Sequence, residues 1–289
     1  SQTPDYIFAY VDRSRARRDR GDYSGAEEDL NQAIRLDPGN YWHYIDRGKL
    51  RLLDLNNPES ALADFNGAIE INPDFFYAYV FRGGILDRMG QIHQAVDDYL
   101  KVLEARPDYF YLYAPVGVIL YAEGRFREAR TYLRKAYERE SEEYFYPYLI
   151  ALSYKKEGRD TELKEYLKKA ITDFPQDSLY YRLARLFFFF FFDGHITSMI
   201  SAENNPDVKH KALFVLATYY LLEEQPRLAQ SYLLEVEDKT SPRSHVHRLS
   251  SLELEQFRGG TLDQDAATGS EEDDNNAGGP GDEGSNNEQ

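Results

Sequence analysis

The sequence predicts an all-α fold, a solenoid of stacked helix hairpins, on three observations. Prolines recur in the phrases LDPGN (Pro38), INPDF (Pro73), ARPDY (Pro107) and DFPQD (Pro175), at intervals of 35, 34 and then 68 residues, which is twice 34. In the same register stand small residues at Ser14, Gly48, Gly83, Gly117, Ala151 and Ala184, with a second set at Ala26, Ala61, Ala95, Ala129 and Leu163. Glycines at Gly21, Gly90, Gly124 and Gly158 separate the two sets.

Each period therefore reads as two amphipathic helices joined at a glycine and stopped before a proline. The small residues let the paired helices approach, and no single hairpin can bury its own apolar face, so neighbours must stack. Taken in order, the hairpins begin at Ile7, Tyr41, Phe76, Phe110 and Tyr144, the second carrying one extra residue in its turn, LDLNNPES. A sixth begins at Asp177 and loses the pattern after its first helix. A seventh is KALFVLATYYLLEEQPRLAQSYLLEVE, and Arg243 to Phe257 reads as a capping helix. From 258 to 289 nine acids stand against one base among Gly and Asn. Such a segment is expected to remain a disordered acidic tail, giving a solenoid over 1–257 and a tail over 258–289.

The first hairpin, YVDRSRARRDRGDYSGAEEDLNQAIRLDP, carries a Gly-Asp-Tyr turn, a second-helix Ala and an Ala-Ile-x-Leu-x-Pro ending. With the 34-residue period, these features closely resemble the tetratricopeptide repeat (TPR) family over about Ile7 to Phe257. The resemblance implies a right-handed superhelix of about six to seven repeats. It also implies that positions 2, 5, 9 and 12 of each first helix face a concave groove.

Numbering each repeat from its first residue puts Tyr10, Tyr44, Tyr79 and Tyr113 at position 4, the family's interhelical aromatic; the fifth repeat has Pro147 there. Position 2, usually polar in the family, holds Phe8, Trp42, Tyr77, Tyr111 and Phe145. Val11, Ile45, Val80, Ala114 and Tyr148 stand at position 5, and Leu52, Tyr121 and Phe188 at position 12. This ladder either lines an open groove, as exposed apolar patches of an interaction site do, or is buried by a tightly wound superhelix. Arg15, Arg18 and Lys49 occupy positions 9 and 12 and would offer positive charge to a carboxylate or phosphate; the alternative is a solvated face. Arg13, Arg47 and Arg82 stand 16, 17 and 16 residues before Asp29, Asp64 and Asp98, a spacing that predicts an ion pair inside each of the first three repeats.

Composition narrows the function classes. The chain has no cysteine, which removes disulfides, thiolate nucleophiles and cysteine-ligated metals. The net charge is −16, of which the tail carries −8 (nine acids less Arg258) and the remainder −8, against nucleic acid as the main partner. The longest apolar run, Leu186 to Phe192, is far short of the roughly 20 residues that span a bilayer. That run reads as a buried junction, with a dimer surface as the alternative. The six histidines show no ligand spacing, and there is no phosphate loop, serine elbow or HExxH. No catalytic residue, metal or cofactor is expected. The family's clamp for acidic chaperone C-termini, Lys at position 5 with Asn at position 9, is missing. Those pairs read Val11/Arg15, Ile45/Lys49, Val80/Gly84 and Ala114/Val118.

These features point to a non-catalytic scaffold that binds a protein or peptide segment in an aromatic groove. The alternative is a carrier holding a small apolar ligand in its lumen, since some bacterial exported TPR proteins pair with solute-transport systems. The start SQTP, without Met, is compatible with a processed envelope protein carrying a lipid anchor upstream, and so favours the bacterial periplasm over the cytoplasm.

Overall fold

A computed structural model describes residues 4–189, 195–242 and 244–268. Among these residues the regular structure is helical throughout, and the chain divides into two compact bodies, 1–196 and 197–289. The first body holds five consecutive hairpins: α1 (Pro4–Asp19) with α2 (Tyr23–Leu36), α3 (Tyr41–Leu53) with α4 (Pro58–Ile71), α5 (Phe76–Arg88) with α6 (Ile92–Ala105), α7 (Tyr113–Ala122) with α8 (Phe126–Arg139), and α9 (Phe145–Lys156) with α10 (Asp160–Ala170). α11 (Leu179–Phe189) follows, and the short α12 (His195–Ala202) crosses the boundary. The second body contains α13 (Pro206–Leu222), α14 (Pro226–Lys239) and α15 (His245–Thr268). α15 continues to Thr268, past the tail boundary expected at 258; the rest of the tail lies outside the described residues.

The turn glycines answer to geometry. Gly21, Gly90, Gly124 and Gly158 all have φ between +70° and +78°, a left-handed conformation that costs a residue with a Cβ. The second hairpin has its extra residue there and uses Asn56 at φ 49°, the residue type best able to replace glycine. The second helices start on side-chain caps where the sequence allows: Asp22 accepts from the Gly25 amide and Asn57 from the Ser60 amide, ahead of Pro58 in the first turn. The fourth repeat differs. Its first helix opens with a 3₁₀ turn, Phe110–Leu112, and becomes α-helical only at Tyr113. Pro115, lacking an amide proton, cannot bond back to residue 111, so the α-helix cannot begin earlier with a full set of hydrogen bonds.

Close approach inside the hairpins is visible at the small residues. A Cβ on Gly83 would lie 2.7 Å from Tyr99 Cε1, and one on Gly117 would lie 2.8 Å from Leu133 Cγ. We expect Gly83→Leu to lower the stability of the first body by roughly 1–3 kcal/mol or more, the cost of overpacking a tight core. A urea titration followed by fluorescence of Trp42, the only tryptophan, checks this. An unchanged midpoint would contradict the packing.

The predicted ion pairs are present and form a wider lattice than the spacing alone indicates. Arg13 Nε lies 2.9 Å from Asp29 Oδ2, Arg47 Nη2 2.6 Å from Asp64 Oδ1, and Arg82 Nη2 2.6 Å from Asp98 Oδ1. All three carboxylates are buried. The hydrogen bond to Asp98 holds the Arg82 guanidinium above its ordinary pKa. Arg47 and Arg82 also reach backwards: Arg47 Nη1 donates to Asn31 Oδ1 at 2.7 Å, and Arg82 Nη1 to Asn66 Oδ1 at 2.9 Å. One guanidinium thus ties its own hairpin together and fastens it to the previous one, fixing the step between repeats.

Candidate functional site: an aromatic band

Three position-4 tyrosines pack against the second helix of their repeat: Tyr44 at Gly67, Tyr79 under Lys101 and Tyr113 at Tyr132 and Lys135. Tyr79 and Tyr113 are buried, while Tyr10 and Tyr44 are half-buried. The Tyr113 hydroxyl donates to the Pro107 carbonyl, so the ring braces the loop that enters its own repeat.

Two residues earlier the side chains reverse direction. Phe8, Trp42, Tyr77 and Tyr111 are 67, 49, 44 and 72% exposed. Three of these four belong to one continuous series of rings. Trp42 meets Phe75 at 4.9 Å between centroids, and Phe75 meets Tyr77 at 5.8 Å. Tyr77 meets Phe76 at 4.1 Å in a tilted pair, Phe76 meets Tyr109 at 6.0 Å, and Tyr109 meets Tyr111, again at 6.0 Å. Phe110, beside Tyr111, ends the series at the surface. Phe8 is not one of the linked rings.

The linking rings are Phe75, Phe76 and Tyr109, and sequence reasoning missed all three; Phe75 and Tyr109 are the harder two to find. Each of these two stands immediately before a first helix, outside the helical positions that periodicity ranks. The signal was present in the recurring aromatic triplets Phe75-Phe76-Tyr77 and Tyr109-Phe110-Tyr111. Because these residues open their helices, the band runs along the N-terminal ends of the first helices of repeats two to four.

Elsewhere the structure corrects the expected ladder. Tyr121, Phe145 and Tyr148 are 3, 1 and 1% exposed, so none presents a surface. Tyr121 packs edge-on against Phe126. Tyr148 lies among Phe174, Tyr180 and Phe187 and its hydroxyl donates to the Tyr180 carbonyl. Burial pushes the Tyr148 phenol well above its ordinary pKa. For Tyr148 the cause is the next repeat: α11 and the loop holding Phe174 cover it, whereas Trp42, Tyr77 and Tyr111 in repeats two to four stay exposed. At position 5, Val11 and Ile45 are also buried, as is Leu52 at position 12. The Phe188 side chain lies outside the described residues, as does the end of the phenylalanine run; Leu186 and Phe187 are buried.

The cationic end is less open than the sequence suggests. Arg18 Nε donates to Asp54 at 2.7 Å, and Arg15 lies 3.4 Å from Asp46 and 3.6 Å from Asp12. The Lys49 ammonium sits over the Phe81 ring at 5.7 Å. Carboxylates from the second repeat thus offset much of the positive charge that the first repeat brings. Further along the band, guanidinium groups stand over two of its rings, Arg106 over Phe76 and Arg139 over Phe110, at 5.3 and 5.4 Å. Among the described residues no three His, Asp or Glu side chains converge as a metal site would require, and no helix is long and apolar enough to cross a membrane.

Comparison with known proteins agrees with this architecture. One tetratricopeptide repeat signature matches residues 11–74, 50–110 and 82–144, and a second matches 148–177. A crystal structure of a tetratricopeptide repeat protein from Parabacteroides merdae ATCC 43184 is similar over 86% of this chain and 98% of its own, at 18% identity and a TM-score of 0.51, a likeness of fold. A crystal structure of MamA protein is similar over 59% of this chain and 93% of its own, at 20% identity and a TM-score of 0.48. The corresponding figures for YrrB, described as a TPR protein with an unusual peptide-binding site, are 76%, 95%, 18% and 0.43. No curated protein matches the chain. The period, the glycine turns, the stacked hairpins and the two signature matches together make the chain a member of the tetratricopeptide repeat family.

Proposed function

We propose that the chain is a non-catalytic scaffold that binds a protein or peptide segment along the aromatic band of repeats two to four. Tetratricopeptide repeat folds are in general protein-interaction scaffolds, which supports the broad reading. The observation that carries the specific one is the exposure of Trp42, Tyr77, Phe110 and Tyr111 within a single run of ring contacts. Large aromatics in a contiguous exposed patch mark interaction sites, and rigid rings offer contact area with little loss of side-chain entropy. An extended segment could lay successive apolar side chains across the band. No specific observation favours the carrier alternative; Tyr121, Phe145 and Tyr148 of the expected ladder are buried.

Affinity capture with the full chain, compared with its Trp42→Ala/Tyr111→Ala variant, tests the proposal. Partners held by the parent chain should be lost by the variant while its melting temperature stays close to that of the parent. An identical captured set from both chains would remove the band from the binding site.

A further inference from the structure

Successive repeats allow one crevice to be compared in two states within the same molecule. At the first step between repeats, the crevice among α2, α3 and α4 is occupied by an arginine of the chain itself. Arg51 Nε donates to Glu27 at 2.7 Å, and its Nη1 donates to Asp64 Oδ2 at 2.9 Å. The side chain is 17% exposed, so the guanidinium fills the space between the hairpins.

One repeat later the corresponding crevice lies among α4, α5 and α6. Its arginine–carboxylate–amide framework is retained: Arg82, Asp98 and Asn66 stand where Arg47, Asp64 and Asn31 stand before. The filling side chain is not. Leu86 replaces Arg51 and Leu62 replaces Glu27, while Asp97 replaces Ala63 and adds a carboxylate at the exposed mouth. A cleft of about 240 Å³ remains, lined by these residues and Gln94.

We propose that this cleft receives the arginine side chain of a polypeptide partner, in the place that Arg51 holds one repeat earlier. The chemistry supports that occupant over others. Asp98 receives two hydrogen bonds from Arg82, yet Asp64 in the same setting accepts from Arg47 and Arg51 together. Each carboxylate oxygen has two lone pairs, so Asp98 keeps acceptor capacity for a second guanidinium. Asp97 supplies the negative charge that was lost with Glu27. Leu62 and Leu86 offer apolar walls to the aliphatic stem of an arginine, which buries its methylenes while its head seeks polar partners. The cleft is smaller than the roughly 300–1,000 Å³ of sites for drug-sized ligands, and so suits one side chain. A net charge of −16 further favours a basic partner. Lysine fits less well, because its ammonium cannot present the planar fork that Arg51 presents to two carboxylates at once.

The cleft is separate from the aromatic band, and the test distinguishes the two. N-acetyl-L-arginine amide is titrated into the full ¹⁵N-labelled chain and compared with N-acetyl-L-lysine amide. Saturable shifts are expected at the Asn66 and Gln94 side-chain amides and the Asp97 backbone amide, stronger for the arginine probe. Asp97→Asn, at an exposed position where the fold is not at stake, should weaken binding by about threefold, as loss of one exposed ion pair does. Leu62→Glu/Leu86→Arg rebuilds the occupied crevice and should abolish the shifts, whereas Tyr111→Ala should leave them intact. The proposal is overturned if the probe does not perturb the cleft, if the lysine probe binds as well, or if Asp97→Asn leaves affinity unchanged.

Discussion

Tyr79→Ala and Tyr113→Ala are each expected to lower the stability of the first body by about 3–5 kcal/mol, the range for large aromatics removed from cores. Both rings are buried against the second helix of their repeat, and Tyr113 also loses its hydrogen bond to the Pro107 carbonyl. Tyr77→Ala and Tyr111→Ala, two residues earlier in the same repeats, should cost about 1 kcal/mol or less, since they lose ring contacts worth roughly 0.5–1.5 kcal/mol at most while leaving no cavity. Partner binding should show the reverse order, because truncating an aromatic anchor commonly costs about 2 kcal/mol or more. Denaturant midpoints read by Trp42 fluorescence, set beside affinities for a captured partner, measure both scales on the four variants. Equal destabilisation by all four would mean that the exposed rings are ordinary core and would leave the band without its supporting observation.

Asp64→Ala carries the second large effect. Its carboxylate is buried and takes hydrogen bonds from Arg47 and Arg51, whose side chains are each 17% exposed. Removing it leaves two guanidinium groups with weaker compensation, and breaking a buried pair in this way costs about 3–5 kcal/mol. The lower end is expected, since Asn31 still holds Arg47 and Glu27 still holds Arg51. Asp12→Ala is the control. Asp12 also faces an arginine, but at 3.6 Å and 76% exposed, a geometry worth at most about 1 kcal/mol. A comparable loss in both variants, measured by the same titration, would show that burial is not what gives the Asp64 pair its weight.

The sequence by itself determined the period, and with it most of the fold. Turn glycines, terminal prolines and small interhelical residues each meet a local demand: a left-handed φ, a missing amide, a close helix approach. Such demands depend on near neighbours, so Gly83 and Gly117 were legible from spacing alone. The Arg47–Asp64 and Arg82–Asp98 pairs were legible for the same reason, since both partners lie in one hairpin and keep a fixed separation. Only the tertiary structure decided which aromatic residues are surface and which are core. Tyr111 and Phe145 share a position in the repeat, yet one is 72% exposed and the other 1%. Burial of a repeat's outer positions depends on what its neighbours lay over them, as α11 does over Tyr148. The ring links through Phe75 and Tyr109, and the crevice that Arg51 fills but Leu86 leaves open, likewise join residues of neighbouring repeats. Helical periodicity orders residues within one helix and carries no information about the width of the gap to the next.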